Sequence, residues 1–201
     1  MSILGCALII LSGSIQANYK LGKDFGSLAR PLPVKQDGVV EVIEVFWYGC
    51  GHCFNLAPAV SSWSKKKDSS VSFQKMPVTW GPVHQLHAKL FYTIEALGIG
   101  ETGHTAVFTA IHKEGNFLSS DGAILDFLEK LGMDRSETIK YMNSFSVRQK
   151  VKRAIEISKQ FKVTATPMMF VDGQYRVEAK GGSSKMLKVV DHVIELQKPI
   201  S

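Results

Sequence analysis

"VVEVIEVFWYGCGHCFNLAP", residues 39–58, decides how the rest of the chain is read. Residues 39–48 are dense in β-branched and aromatic side chains and end at Gly49, which predicts a buried central strand. Glu44 interrupts that run, on the face it shares with Val40, Val42 and Phe46. From Cys53 to about Lys66 the residues Phe54, Leu56, Ala57, Val60 and Trp63 recur at helical spacing, with Pro58 expected to kink the helix. A strand feeding a C-x-x-C that opens a helix sets Cys50 where unpaired backbone N–H groups and the helix dipole favour an anion. A thiolate is such an anion, so Cys50 is expected to ionise readily and act as a nucleophile. Cys53, one turn further in, should be more buried and able to resolve a mixed disulfide. Gly51 keeps the turn open, and His52 brings a donor or a positive charge to the same sulfur.

The same spacing can hold a metal or staple a loop. Structural zinc usually takes two cysteine pairs, or one pair with a close pair of histidines. The chain has three cysteines, and only His84 and His87, three residues apart on a helix, stand as distant candidates. Histidines on a helix surface are ordinarily just polar residues, so no metal site and no cofactor are expected. A bridge closing so short a loop restrains the unfolded chain little, which weakens the staple. Glu44, six residues before Cys50, fits redox work. A desolvated carboxyl has a raised pKa and can take or return the proton of Cys53. The plainer alternative is a carboxyl that is merely hydrogen-bonded or at a sheet edge. In "VTATPMMF" (163–170), Pro167 follows Thr166 at the mouth of a strand, where X–Pro bonds can be cis. A cis bond there would turn the Thr166 backbone outward, ready to pair with an extended substrate peptide.

With 201 residues, 45% of them apolar, the chain can build one sizeable core with a subdomain. The net charge of +6 is scattered, and "SKKKD" (64–68) is the only dense cluster. No basic stripe interleaved with aromatics is evident, which argues against nucleic-acid binding. Residues 1–17 carry no charge and centre on an apolar run from Ile3 to Leu11, too short to span a bilayer. They match the core of a signal peptide, cleaved after Ala17, although the usual basic start is missing. Cys6 follows Ile3-Leu4-Gly5 in loose imitation of a lipoprotein box, but its place inside the apolar run argues against lipidation. Removing this leader leaves Cys50 and Cys53 as the only thiols of an exported chain.

Further along, "VSFQKMPV" (71–78) reads as a second strand. From Gly81 to about Phe161 the period is helical: 82–98, 104–115, 120–132 from a Ser120 cap, 134–145 from Asp134 with Glu137, and 146–161 from Ser146. Five such helices in a row should pack on one another. "PMMFVDGQYRVEA" (167–179) is a hairpin around Asp172-Gly173, and 183–197 is a last amphipathic helix.

Site, helical insertion, X-Pro loop and Asp-Gly hairpin, in that order from about Val40 onward, resemble the DsbA family of thiol–disulfide oxidoreductases. The resemblance implies an α/β chain with a thioredoxin fold carrying an inserted all-helical subdomain. The leader would be 1–17, the thioredoxin-like domain 18–80 with 162–201, and the inserted helical domain 81–161. It also implies Cys50 as exposed nucleophile, Cys53 as resolving cysteine, Glu44 as buried acid and Pro167 as a cis-proline after Thr166. The implied activity is a periplasmic oxidase that gives its disulfide to unfolded exported polypeptides with free thiols. A DsbB-like membrane quinone reductase would reoxidise it, and it would work as a monomer. Many members have C-P-H-C and a Val before the cis-proline, where this chain has C-G-H-C and Thr166. Both departures should tune the potential, and the enzyme as a whole is expected to be an oxidant somewhat milder than the C-P-H-C type. As reference values, DsbA stands at about −120 mV and protein disulfide isomerase at about −180 mV. An isomerase or reductase, or a peptide-binding chaperone with incidental thiols, are the rival readings.

Overall fold

The computed structural model describes residues 19–33 and 37–198, so the expected leader and Cys6 lie outside the described residues. Five strands and seven helices are described: β1 (Gly26–Ser27), β2 (Val40–Phe46), α1 (Gly51–Ser64), β3 (Val71–Pro77), α2 (Pro82–Ala96), α3 (Gly100–His112), α4 (Asp121–Lys130), α5 (Arg135–Met142), α6 (Phe145–Gln160), β4 (Met168–Val171), β5 (Tyr175–Glu178) and α7 (Ser183–Gln197). The sheet order is β1-β5-β4-β2-β3. β2 runs parallel to β3 across the α1 crossover and antiparallel to β4, so every backbone group of its apolar stretch has a partner on one side or the other.

The alternation of β2 sorts the core. Val40 and Val42 point into a cluster with Leu56, Val60 and Trp63 of α1 and Met186, Val190 and Val193 of α7. Ile43 and Val45 point the other way, against Ala154 of α6, Phe161 and Val163. Phe46, the last residue of β2, and Tyr48, just past it, enter the core of the helical block with Leu90, Ile94, Phe108, Ile124 and Leu128. Cys53 belongs to that same cluster, so the helices between β3 and β4 pack directly behind the cysteine pair.

Most sequence expectations hold within a turn, and the departures have local causes. α6 starts from Ser144, whose side chain accepts from Val147 N, and not from Ser146. α3 begins at Gly100, four residues before the expected start, through a turn at Ile99 without a side-chain cap. α5 starts as its Asp134 cap implied, with the carboxylate accepting from Glu137 N at 2.7 Å. The hairpin turn has positive φ at both Asp172 (52°) and Gly173 (58°), as the Asp-Gly pair predicted.

Candidate redox-active site

β2 delivers the chain to a tight turn. Cys50 N donates to the Trp47 carbonyl at 3.0 Å. Trp47 folds its ring over Gly49 so closely that an added Cβ would lie 2.5 Å from it, which is why glycine stands there. Cys50 is extended (φ −90°, ψ 114°) and caps α1, its Sγ accepting from Cys53 N at 3.3 Å. Both cysteines are free thiols, Cys50 half-buried and Cys53 only 1% exposed. The loop before β4 brings Thr166 across, with its carbonyl 3.5 Å from Cys50 Sγ. The Thr166–Pro167 bond is cis.

The two sulfurs are driven apart in acidity. Cys50 is pushed down to about 5, first by the hydrogen bond from the Cys53 thiol and, against partial burial, by the Thr166 side chain and the backbone N–H groups of Cys53 and His52. Cys53 is held far above the usual thiol range by the same bond to Cys50 and by burial. The asymmetry read from the helix terminus is therefore present, but the leading donor is the partner thiol. Gly51 and His52 are both exposed. His52 contributes its backbone N–H, and its ring makes no hydrogen bond to either sulfur among the described residues.

Glu44 is 3% exposed, and its Oε2 has no hydrogen-bond partner among the described residues. Burial pushes its pKa up to about 7, with Lys75 opposing and Glu101 reinforcing the rise. Lys75 is the register partner of Glu44 in β3 and reaches to 3.8 Å from Glu101. Among the described residues no hydrogen bond joins Glu44 to Cys50 or Cys53. Lys75 and Glu101 line a groove of about 680 Å³ between α1 and α3, together with Phe54, Pro58 and His104.

Sequence reasoning missed this neighbourhood. Lys75 was legible in principle, because two parallel strands joined by one helix place Glu44 and Lys75 side by side. The histidines of α3 gave no local signal. His104 Nδ1 pairs with the Tyr48 hydroxyl at 3.0 Å, and His112 Nε2 lies 2.7 Å from the Tyr48 carbonyl, just before the turn. Burial pushes His104 down to about 3, so it stays neutral. The expectation that His84 and His87 are ordinary surface histidines is corrected for His87. It is fully buried, with Nε2 3.0 Å from the Phe117 carbonyl, beside Trp47 and Tyr48. No group of three or more His, Cys, Asp or Glu side chains that could hold a metal exists among the described residues.

A family profile described as DSBA-like thioredoxin domain matches residues 83–193, a span that begins after both cysteines. A thiol:disulfide interchange protein DsbA of Pseudomonas aeruginosa is 36% identical over 183 residues, covering 90% of this chain and 87% of that protein. One of Burkholderia cepacia is 38% identical over 180 residues, covering 88% of this chain and 85% of that protein. The crystal structure of Pseudomonas aeruginosa DsbA superposes with a TM-score of 0.84 at 36% identity, covering 89% of this chain and 94% of that one.

Proposed function

The chain belongs to the DsbA family of thiol:disulfide oxidoreductases, and on that premise we propose that it introduces disulfides into exported polypeptides through Cys50 and Cys53. The observation that carries this reading is the Cys50 sulfur: half-buried, surrounded by donors, its pKa pushed down to about 5 beside a buried partner thiol.

The cycle starts from the oxidised pair. A substrate thiolate attacks Cys50 Sγ; the Cys50–Cys53 bond breaks and its electron pair leaves on Cys53, which takes a proton because its own acidity is suppressed. A second substrate thiolate then attacks the substrate sulfur of the mixed disulfide and expels Cys50 as a thiolate. The substrate has lost two electrons and the enzyme has gained them. Because the released Cys50 anion is held by Cys53, Thr166 and backbone donors, the reduced enzyme is favoured and the disulfide is readily given away. Thr166, with its carbonyl at the sulfur, is the point where an extended substrate backbone would pair, with Pro167 fixing the loop. Glu44 is assigned the proton of Cys53, supported by its raised pKa; with no direct hydrogen bond present, water would relay it. Gly51 and His52 leave the approach to Cys50 open.

We read the compartment as the periplasm, from the uncharged leader at 1–17 and a lone thiol pair. Among the described residues no helix is long and apolar enough to cross a membrane. A DsbB-like quinone reductase is the proposed reoxidant, acting on a monomeric enzyme. The division into 18–80 with 162–201 and an insertion at 81–161 is supported by α2–α6 lying between β3 and β4. Equilibration with glutathione and iodoacetamide trapping tests the reading. A potential between about −120 and about −180 mV is expected, and one near thioredoxin's, about −270 mV, would refute it.

A further inference from the structure

Ion pairs occupy cations over much of the described surface: Lys67 with Asp191, Lys89 with Asp121, Arg135 with Asp126 and Glu129, Lys185 with Asp24. None involves α6 among the described residues, although Arg148, Lys150, Lys152, Arg153, Lys159 and the following Lys162 are all exposed. Glu156 is the single acid within 145–162. Besides the cluster at 64–68, Arg148, Lys150, Lys152 and Arg153 fall within six residues, and the helix turns them onto different faces. Phe145, Arg148, Lys152 and Lys159, at i, i+3, i+7 and i+14, fall on one stripe, away from the buried Val147, Ala154 and Ser158. Phe145, at the head of the stripe, is 69% exposed, the most exposed large apolar side chain among the described residues.

We propose that this stripe of α6 docks the protein on a bilayer surface of anionic phospholipid. The charge complementarity is mostly one-sided: three exposed cations and a single acid, Glu156, share the stripe, and none of them has an ion-pair partner among the described residues. Anionic lipids diffuse laterally, so cations about 6 and about 10 Å apart along a helix each find a headgroup without any matching pattern of acids. Phe145 at the end of the row supplies the apolar contact at headgroup depth that marks interfacial helices. An acidic protein would need acids placed to fit, and a reason for the exposed phenyl ring. The C-terminal end of α6 leads through Phe161 and Val163 to Thr166, whose carbonyl touches Cys50. Docking by α6 therefore holds the cysteine pair close to the membrane. The identity of that membrane rests on the exported reading; the docking chemistry does not.

Sedimentation of the full chain with phosphatidylcholine vesicles, with and without phosphatidylglycerol, tests it. The phosphatidylcholine arm absorbs any binding through the apolar residues 1–17. At about fivefold per cation, the Arg148→Gln/Lys152→Gln/Lys159→Gln variant should bind phosphatidylglycerol vesicles about a hundredfold more weakly. Phe145→Ser should lose less, and both should reduce insulin at the unmodified rate. Independently of any variant, binding of the unmodified chain should collapse as salt is raised. Equal partitioning to both vesicle types, indifference to salt, or retention by soluble polyglutamate without vesicle binding would each overturn the proposal, the last assigning the stripe to an acidic protein. Failure of insulin reduction in the unmodified chain would instead strike the oxidoreductase reading.

Discussion

Cys50 and Glu44 stand six residues apart along one strand and turn, and the fold drives their acidities in opposite directions. Cys50 falls to about 5 while Glu44 rises to about 7. Burial disfavours the charge of both groups, so depth by itself does not separate them. Donors do. Around Cys50 the Cys53 thiol, the Thr166 side chain and two backbone N–H groups converge on one sulfur. Glu44 sits inside the sheet, where strand partners consume the neighbouring backbone donors, and its Oε2 is left with none. The end of a strand feeding a helix supplies free N–H groups; the middle of a strand has none to spare.

The largest effect expected from breaking this contrast is at the sulfur. Cys50→Ser keeps the cap, since a serine hydroxyl also accepts at a helix N-terminus. It cannot form the disulfide, so insulin reduction should fall to the uncatalysed rate with the fold intact by circular dichroism. Retained activity in that variant would move the chemistry elsewhere.

Next comes the carboxyl. The folded pKa of Glu44, about 7, lies above its ordinary 4.5. Its neutral form is thus favoured by folding: that stability is fully present below pH 4.5 and is lost as pH rises through about 7. The whole difference is at most about 3 kcal/mol. Glu44→Gln removes the penalty, so urea melts should show a variant more stable than the parent above pH 7 and no more stable at pH 4. Equal pH dependence in both proteins would show that Glu44 is not the desolvated group described here.

How much of this was legible beforehand differs by element. Asp172-Gly173 and the helix at 183–197 were readable because turn chemistry and period are local, and both occur as read. The strand–cysteine–helix unit was local too. The cap of α6 was not: serines at 144 and 146 flank Phe145, and only the folded chain shows that Ser144 accepts from Val147 N. The period at 82–98 announced a helix, but not that its buried arc would take in His87 beside Leu90, Phe91 and Ile94. The groove between α1 and α3, and the hold of His104 and His112 on Tyr48, join residues some forty to sixty positions apart. Nothing in either segment announces the other.

A finer test separates the donors at Cys50. Thr166→Val keeps the side-chain volume and deletes the hydroxyl that helps to hold the thiolate. A hydrogen bond to a charged group is worth about 1.5–3 kcal/mol, and partial exposure of Cys50 brings that toward about 1 kcal/mol. By that measure the glutathione equilibrium should shift about 20 mV toward a less oxidising enzyme. A shift of the opposite sign would mean that Thr166 favours the disulfide form.

The smallest effect concerns Gly51, the residue between the two donor sets that offers the sulfur nothing of its own. It is the first residue of α1, where proline's missing N–H costs little and its fixed φ suits the helix. An added Cβ meets nothing within 4 Å. The preceding residue must be extended when proline follows, and Cys50 already is, at φ −90° and ψ 114°. Gly51→Pro should therefore be accommodated without rearrangement and stabilise the dithiol form by about 0.5–1 kcal/mol, through the reduced freedom of the unfolded chain. Because the donors to Cys50 come from Cys53, Thr166 and His52, the rate of Cys50 alkylation against pH should keep its midpoint near 5. If the midpoint moved with this substitution, the turn itself, and not the donors around it, would set the acidity of the sulfur. The contrast with Glu44 would then rest on backbone geometry.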